Sequence, residues 1–258
     1  MVDKKGHIVL DNVTKIFPKL DVNTTMAVKD INLDVAPGEF VCIVGASGCG
    51  KSTMLRLISG LLKPTMGKVY FDNKEVTGPS QTRGFMFQQA NLYPWRTVRQ
   101  NVAFGLQLQN KYKGREQYVE ELIDLVGLSE FRDAYPYQLS GGMEQRAALA
   151  RALAGDPDAL FLDEPLGALD AFTRANIQQQ LIRIWQQRKC TMMLITHDVE
   201  EAVYLANRVI IMSPHPGRIE KEVIIDIPFP RDKNSKEFFD YRLKVLSALE
   251  FNLIEEVT

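Results

Sequence analysis

Four stretches of the chain are apolar without interruption: Phe40-Val41-Cys42-Ile43-Val44, Ala159-Leu160-Phe161-Leu162, Met193-Leu194-Ile195 and Val209-Ile210-Ile211-Met212. Short runs with no polar alternation predict strands covered on both faces, the habit of a parallel sheet. The run Ile31-Asn32-Leu33-Asp34-Val35 alternates instead and predicts a half-buried strand. Ile8-Val9-Leu10 and Val69-Tyr70-Phe71-Asp72 add two more strands, the second followed by turn-like Asn73-Lys74 and Gly78-Pro79. A small antiparallel sheet is expected from this first part. Helical spacing separates the apolar runs. Ile177, Leu181, Ile184 and Trp185 fall at i, i+4, i+7 and i+8, which predicts an amphipathic helix from Ala171 to Arg188 with Gln178, Gln179 and Gln187 on the wet side. Val119, Leu122, Ile123 and Val126 share another helical face, ended by Gly127. Residues 89–155 are helical in pattern and interrupt the strand–helix alternation, so they read as an inserted helical lobe. The core is then 1–88 with 156–231, and the charged residues 232–258 form a peripheral C-terminal helical extension. The expected fold is α/β: a mixed, mainly parallel core, a small N-terminal antiparallel sheet and the helical lobe.

Composition changes this picture little. The chain has 258 residues, 45% hydrophobic and 24% charged, as in an ordinary globular protein. A net charge of −1 supplies no field toward nucleic acid or anionic lipid, so no nucleic-acid partner is expected. No apolar run approaches a membrane span, and Met1-Val2-Asp3-Lys4-Lys5 carries no apolar stretch like that of a signal peptide. Cys42, Cys49 and Cys190 have neither metal spacing nor an even framework, which favours a reducing, cytosolic compartment.

The chemistry begins at Gly45-Ala46-Ser47-Gly48-Cys49-Gly50-Lys51-Ser52-Thr53, which fits G-x-x-x-x-G-K-[ST] between an apolar strand and a helix start. An ordinary glycine turn would not need the lysine and hydroxyl that follow. Glycines let backbone N–H groups converge on phosphate oxygens, and the helix start adds free N–H groups and a positive dipole end. Lys51 is expected to reach the β/γ-phosphates and Ser52 to ligate Mg2+. Cys49 lies inside the loop, so thiol alkylation is expected to block nucleotide binding and bound nucleotide to protect. Leu160-Phe161-Leu162-Asp163-Glu164 is an apolar strand ending in two carboxylates. Alone this could be a solvated acidic turn. Beside a phosphate loop, Asp163 can hold a metal-bound water and Glu164 can deprotonate the attacking water.

Leu139-Ser140-Gly141-Gly142-Met143-Glu144-Gln145-Arg146 is the second informative run. A Ser and two Gly opening a helix from Met143 to Leu153 can be a plain N-cap or a second anion site. Together with the phosphate loop it resembles the signature motif of the ATP-binding-cassette (ABC) ATPases, and the resemblance spans residues 7–220. It implies that Ser140, Gly141 and Gly142 press on the γ-phosphate held by a second copy, two ATP molecules being sandwiched head to tail in an isologous dimer. It further implies that Phe17 stacks on adenine, although a strand-core aromatic reads the same way. Gln88 resembles the glutamine that senses metal and water, with Gln89 a close competitor. Asp170 resembles the residue that crosses the dimer interface, and His197 the switch histidine at the γ-phosphate. Met143 departs from the pattern, where glutamine is commonest.

Three further runs narrow the resemblance: Asn91-Leu92-Tyr93-Pro94-Trp95, Asn101-Val102-Ala103-Phe104-Gly105-Leu106 and Ser213-Pro214-His215-Pro216-Gly217-Arg218-Ile219. They resemble the nitrate/sulfonate/taurine importer branch. That branch implies a chain peripheral to the cytoplasmic face of the membrane, paired as an ATP-bound homodimer with two transmembrane permease subunits and an extracytoplasmic substrate-binding protein. Three rival readings stay open: a cassette ATPase without a membrane partner, a phosphate-loop GTPase or kinase, and a non-catalytic nucleotide-gated module. The second finds no N-K-x-D run, and the third would be expected to lack Glu164 or His197, both present.

Overall fold

The computed structural model describes residues 5–18 and 24–254. Residues 1–4 of the N-terminal run and 255–258 of the C-terminal extension lie outside it. An antiparallel sheet contains β1 (Ile8–Pro18), β2 (Thr24–Val35), β4 (Met66–Phe71) and β5 (Lys74–Glu75), in the order β2-β1-β4-β5. The second sheet holds β3 (Phe40–Gly45), β6 (Arg83–Met86), β7 (Ala159–Asp163), β8 (Thr191–Ile195), β9 (Arg208–Ser213) and β10 (Arg218–Ile224), in the order β10-β9-β3-β8-β7-β6. All of its pairings are parallel except β10 on β9. The strand β10 was not foreseen, because its residues Arg218-Ile219-Glu220-Lys221-Glu222-Val223-Ile224 show one buried side chain only, Val223.

The continuous apolar runs have a simple cause. Successive side chains of a strand point to opposite faces. Phe40, Cys42 and Val44 of β3 join the core packed by the later helices, whereas Val41 and Ile43 join the core shared with the antiparallel sheet. The helix α1 (Lys51–Ser59) belongs to that second core through Met54, Leu55, Leu57 and Ile58. Every position of β3, β7 and β8 therefore has an apolar neighbour to meet. The helices α2 (Val98–Leu108), α3 (Glu116–Leu125) and α4 (Gly141–Ala154) come between β6 and β7, and α5 (Ala171–Arg188) and α6 (Val199–Leu205) flank β8.

Two expectations are corrected. Gln178 is 2% exposed, not on the wet side, because α6 and the segment around Lys233 cover that part of α5. The C-terminal helix α7 (Lys236–Ile254) is not merely peripheral: Phe238, Val245 and Ala248 are buried in the main core. The approach to it is locked by Arg231, 5% exposed, whose guanidinium donates to the carbonyls of Val203 at 2.6 Å, Ala206 at 2.7 Å and Ile227 at 3.0 Å. Burial pulls its pKa down to about 10, which leaves it charged at neutral pH. Arg231→Ala strands those buried carbonyls and is expected to cost about 2–4 kcal/mol. A urea titration checks this, with a lower midpoint and an unchanged slope.

Candidate active site

The C-terminal ends of β3 and β7 deliver the loop and the carboxylates to one cleft of about 580 Å³. Ligands in open parallel sheets gather at such strand ends. The cleft is lined by Gly45, Ser47, Gly48, Gly50, Lys51, Ser52 and Thr53, with Gln88, Glu164, His197 and His215, and by Thr25, Met26 and Ala27 of β2. Gly50 caps α1 at φ 95°, and a Cβ there would lie 2.6 Å from the Ala27 carbonyl oxygen. No side chain caps α1, so its first N–H groups stay available to an anion. Lys51 folds over the loop, its Nζ donating to the carbonyls of Gly45 at 2.9 Å and Ala46 at 2.7 Å. Ala46 stands partly exposed in the same loop.

Cys49 turns the other way. It is fully buried among Val28, Met54 and their neighbours, and burial raises its pKa, opposed by the nearby Lys51 ammonium. A buried thiol with a raised pKa presents little thiolate. Alkylation is expected to be slow in native buffer and to quicken in sub-denaturing urea, as mass spectrometry over a time course would show.

Ser52 Oγ donates to Asp163 Oδ1 at 3.0 Å. Asp163 is 1% exposed, and its other oxygen, Oδ2, is buried with no hydrogen-bond partner. Burial raises its pKa, opposed first by the Ser52 hydroxyl. An unpartnered buried carboxylate oxygen beside a hydroxyl suits a hard cation such as Mg2+. No cluster of three His, Cys, Asp or Glu among the described residues could cage a metal. A cation here would take its remaining ligands from phosphate and water.

Glu164 follows at φ 49°, a left-handed conformation uncommon for a non-glycine residue. Its N–H donates to the Ile195 carbonyl at 3.1 Å, and its Oε2 accepts from Gln88 Nε2 at 3.2 Å and lies 3.7 Å from His197 Nδ1. Gln88, Glu164 and His197 thus meet at one point. Gln89 is exposed and does not line the cleft, so the geometry favours Gln88. Phe17 is half-buried, pairs with Thr25 across β1 and β2, and carries Lys15 Nζ 5.2 Å from its ring centre. It stands next to the cleft's β2 wall without lining the cleft.

Ser140, Gly141 and Gly142 are not brought to this cleft. Ser140 caps α4, its Oγ accepting from Met143 N at 3.3 Å, and Ser140 and Gly141 are exposed. Asp170 is also outside the cleft. It caps α5 by accepting from Phe172 N and Thr173 N, and the Thr173 hydroxyl helps hold its pKa below the usual carboxylate range.

The sequence reading missed the braces around Gln88. Gln145 Nε2 donates to the Gln88 carbonyl at 3.4 Å while its Oε1 accepts from Ala168 N at 3.3 Å. Arg151 donates to the carbonyls of Ala90 and Asn91, and the fully buried Asn101 pins Tyr93 and Arg96. The amide of Asn101 in an otherwise apolar helical stretch is the sequence signal for this brace.

A glycine loop between a buried parallel strand and a helix, with an acid-tipped strand two places along the same sheet, defines a phosphate-loop nucleotide-binding protein. A family model described as ABC transporter matches residues 28–167, and the chain belongs to that family. It is 46% identical over 244 residues to the aliphatic sulfonates import ATP-binding protein SsuB of Bacillus cereus, covering 95% of this chain and 96% of that one. It is 46% identical over 260 residues to the nitrate import ATP-binding protein NrtD of Synechocystis, covering 97% of each. Among solved structures it resembles the ATP-binding cassette MJ0796, a dimer in a post-hydrolysis state bound to ADP and phosphate. That match has a TM-score of 0.78 and 36% identity, covering 86% of this chain and all of the other.

Proposed function

We propose that the chain is the ATP-hydrolysing subunit of an ABC importer, working as a head-to-tail homodimer on two membrane permease subunits. The observation that carries this reading is the division of the site. The cleft gathers the phosphate loop, Asp163's partner Ser52, Gln88, Glu164 and His197, whereas Ser140, Gly141 and Asp170 are exposed and, with the half-buried Gly142, stand outside it. A second copy supplies what is missing.

In this reading the amides of Gly45 to Thr53 and the Lys51 ammonium hold the triphosphate, with Phe17 beside the base. Ser52, Asp163 and Gln88 would hold Mg2+, which neutralises developing phosphate charge when bound. Glu164 takes a proton from water as the water oxygen bonds to the γ-phosphorus. The bond from that phosphorus to the bridging oxygen breaks, leaving ADP and phosphate. His197 donates to a γ-phosphate oxygen, and Gln88 orients the water. Positioning and charge stabilisation do the work.

The partner face is aromatic. Trp95 is 70% exposed and Tyr137 is 80% exposed. Hydrogen bonds from Val98 N to Ala134 O and Arg99 N to Arg132 O bring their two loops together. A short cytoplasmic helix of a permease suits this edge. Among the described residues no helix is long and apolar enough to cross a membrane. In this reading attachment to the cytoplasmic face comes through the permease. An extracytoplasmic binding protein then delivers nitrate, a sulfonate, taurine or a related small solute. Affinity purification from membranes is expected to bring down a multispanning protein, and Trp95→Glu to lose it with Tm unchanged. Recovery of the chain without any membrane protein in native extracts would contradict the reading.

A further inference from the structure

Glu164 and His197 share a small cavity of about 60 Å³ with Thr196, Asp198, Arg174 and Glu201. Glu201 is 4% exposed, and the hydrolysis described above does not use it. We propose that Glu201 is a positioning residue for His197, holding the turn on which the histidine is presented to the γ-phosphate.

The contacts flank the histidine on both sides. The Thr196 hydroxyl lines the cavity with the Glu201 carboxylate and accepts from Asp198 N at 3.0 Å. Asp198 Oδ1 in turn accepts from Glu201 N at 3.2 Å and Glu200 N at 2.8 Å, capping α6. His197 sits between Thr196, which shares the cavity with the Glu201 carboxylate, and Asp198, which accepts from the Glu201 backbone amide. Gln178 Nε2 donates to Glu201 Oε1 at 3.1 Å, and Lys233 Nζ donates to Gln178 Oε1 at 3.3 Å while pairing with Glu200 at 3.1 Å. The Glu201 carboxylate is therefore braced by α5 and, through Gln178, by the segment that leads into α7. Burying a carboxylate is costly unless it is hydrogen-bonded. Here burial raises its pKa against the Thr196 and Gln178 hydrogen bonds. The His197 side chain is 71% exposed, with Glu164 Oε2 3.7 Å from its Nδ1, so its direction also depends on the turn that carries it.

The inference rests on His197 acting at the γ-phosphate, and the experiment separates the two. Single-turnover hydrolysis and ATP affinity are measured for E201A, E201Q, H197A and the two double variants of the full chain. E201A is expected to lose on the order of tenfold in rate, the effect of a misplaced catalytic group. Its ATP affinity should stay within twofold. E201Q keeps the volume and one acceptor oxygen, reports even where E201A folds poorly, and is expected to lose about threefold. In the H197A background neither change should slow the residual rate further, as coupled residues are non-additive. A wild-type rate in H197A alone removes the histidine assignment and this inference with it. Losses that recur in full in the H197A background, or that follow ATP affinity or Tm, remove this inference only.

Discussion

Glu164→Gln is expected to bind ATP as tightly as the native chain and to lose hydrolysis by about 10²–10⁴-fold, the range for removing a general base. The substitution keeps the shape. The Gln88 amide now 3.2 Å from Oε2 still finds an acceptor oxygen, so the cleft is not rebuilt. The left-handed backbone at Glu164 serves glutamine as it serves glutamate. What disappears is the group able to take the water's proton. ATP then persists between two copies, and the dimer accumulates. Phosphate release and size-exclusion chromatography in ATP check the two halves of the result. Near-native turnover would assign the base elsewhere.

Lys51→Ala acts earlier, at binding. Its Nζ is held by two loop carbonyls at 2.7 and 2.9 Å, poised where a phosphate oxygen would lie. A charge-assisted hydrogen bond contributes about 1.5–3 kcal/mol, so its loss weakens ATP by roughly 10- to 100-fold. Lys51→Arg is expected to recover little. The side chain is 8% exposed, and a planar fork does not fit where a point charge sits. Titration with a fluorescent ATP analogue reads both variants.

The parallel strands were legible because both faces of each are covered, which leaves no polar residue to interrupt the run. The phosphate loop was legible because its glycines, lysine and hydroxyl are contiguous. Residues whose environment comes from distant segments were not. Periodicity places Gln178 toward water, but Glu201 and Lys233 arrive from elsewhere in the chain to pair with it. Charges along residues 232–258 hid the three apolar positions by which α7 enters the core. Cys49 was placed in the loop correctly, yet its inward direction follows from loop geometry that no local pattern encodes. Ser140 was legible as a helix cap and Asp170 was not, yet capping is what both do within one chain. Their expected role across two chains is where the central claim lies.

Mixing two inactive variants tests that claim most directly. Lys51→Ala breaks the phosphate loop and leaves the signature whole; Ser140→Arg does the reverse. Each alone has no complete site, whether sites form within a chain or between chains. If a site joins the loop of one copy to the signature of another, the mixed dimer contains one complete site. ATP hydrolysis should then reappear on mixing, highest near equal amounts. A mixture as silent as its components would contradict the shared site.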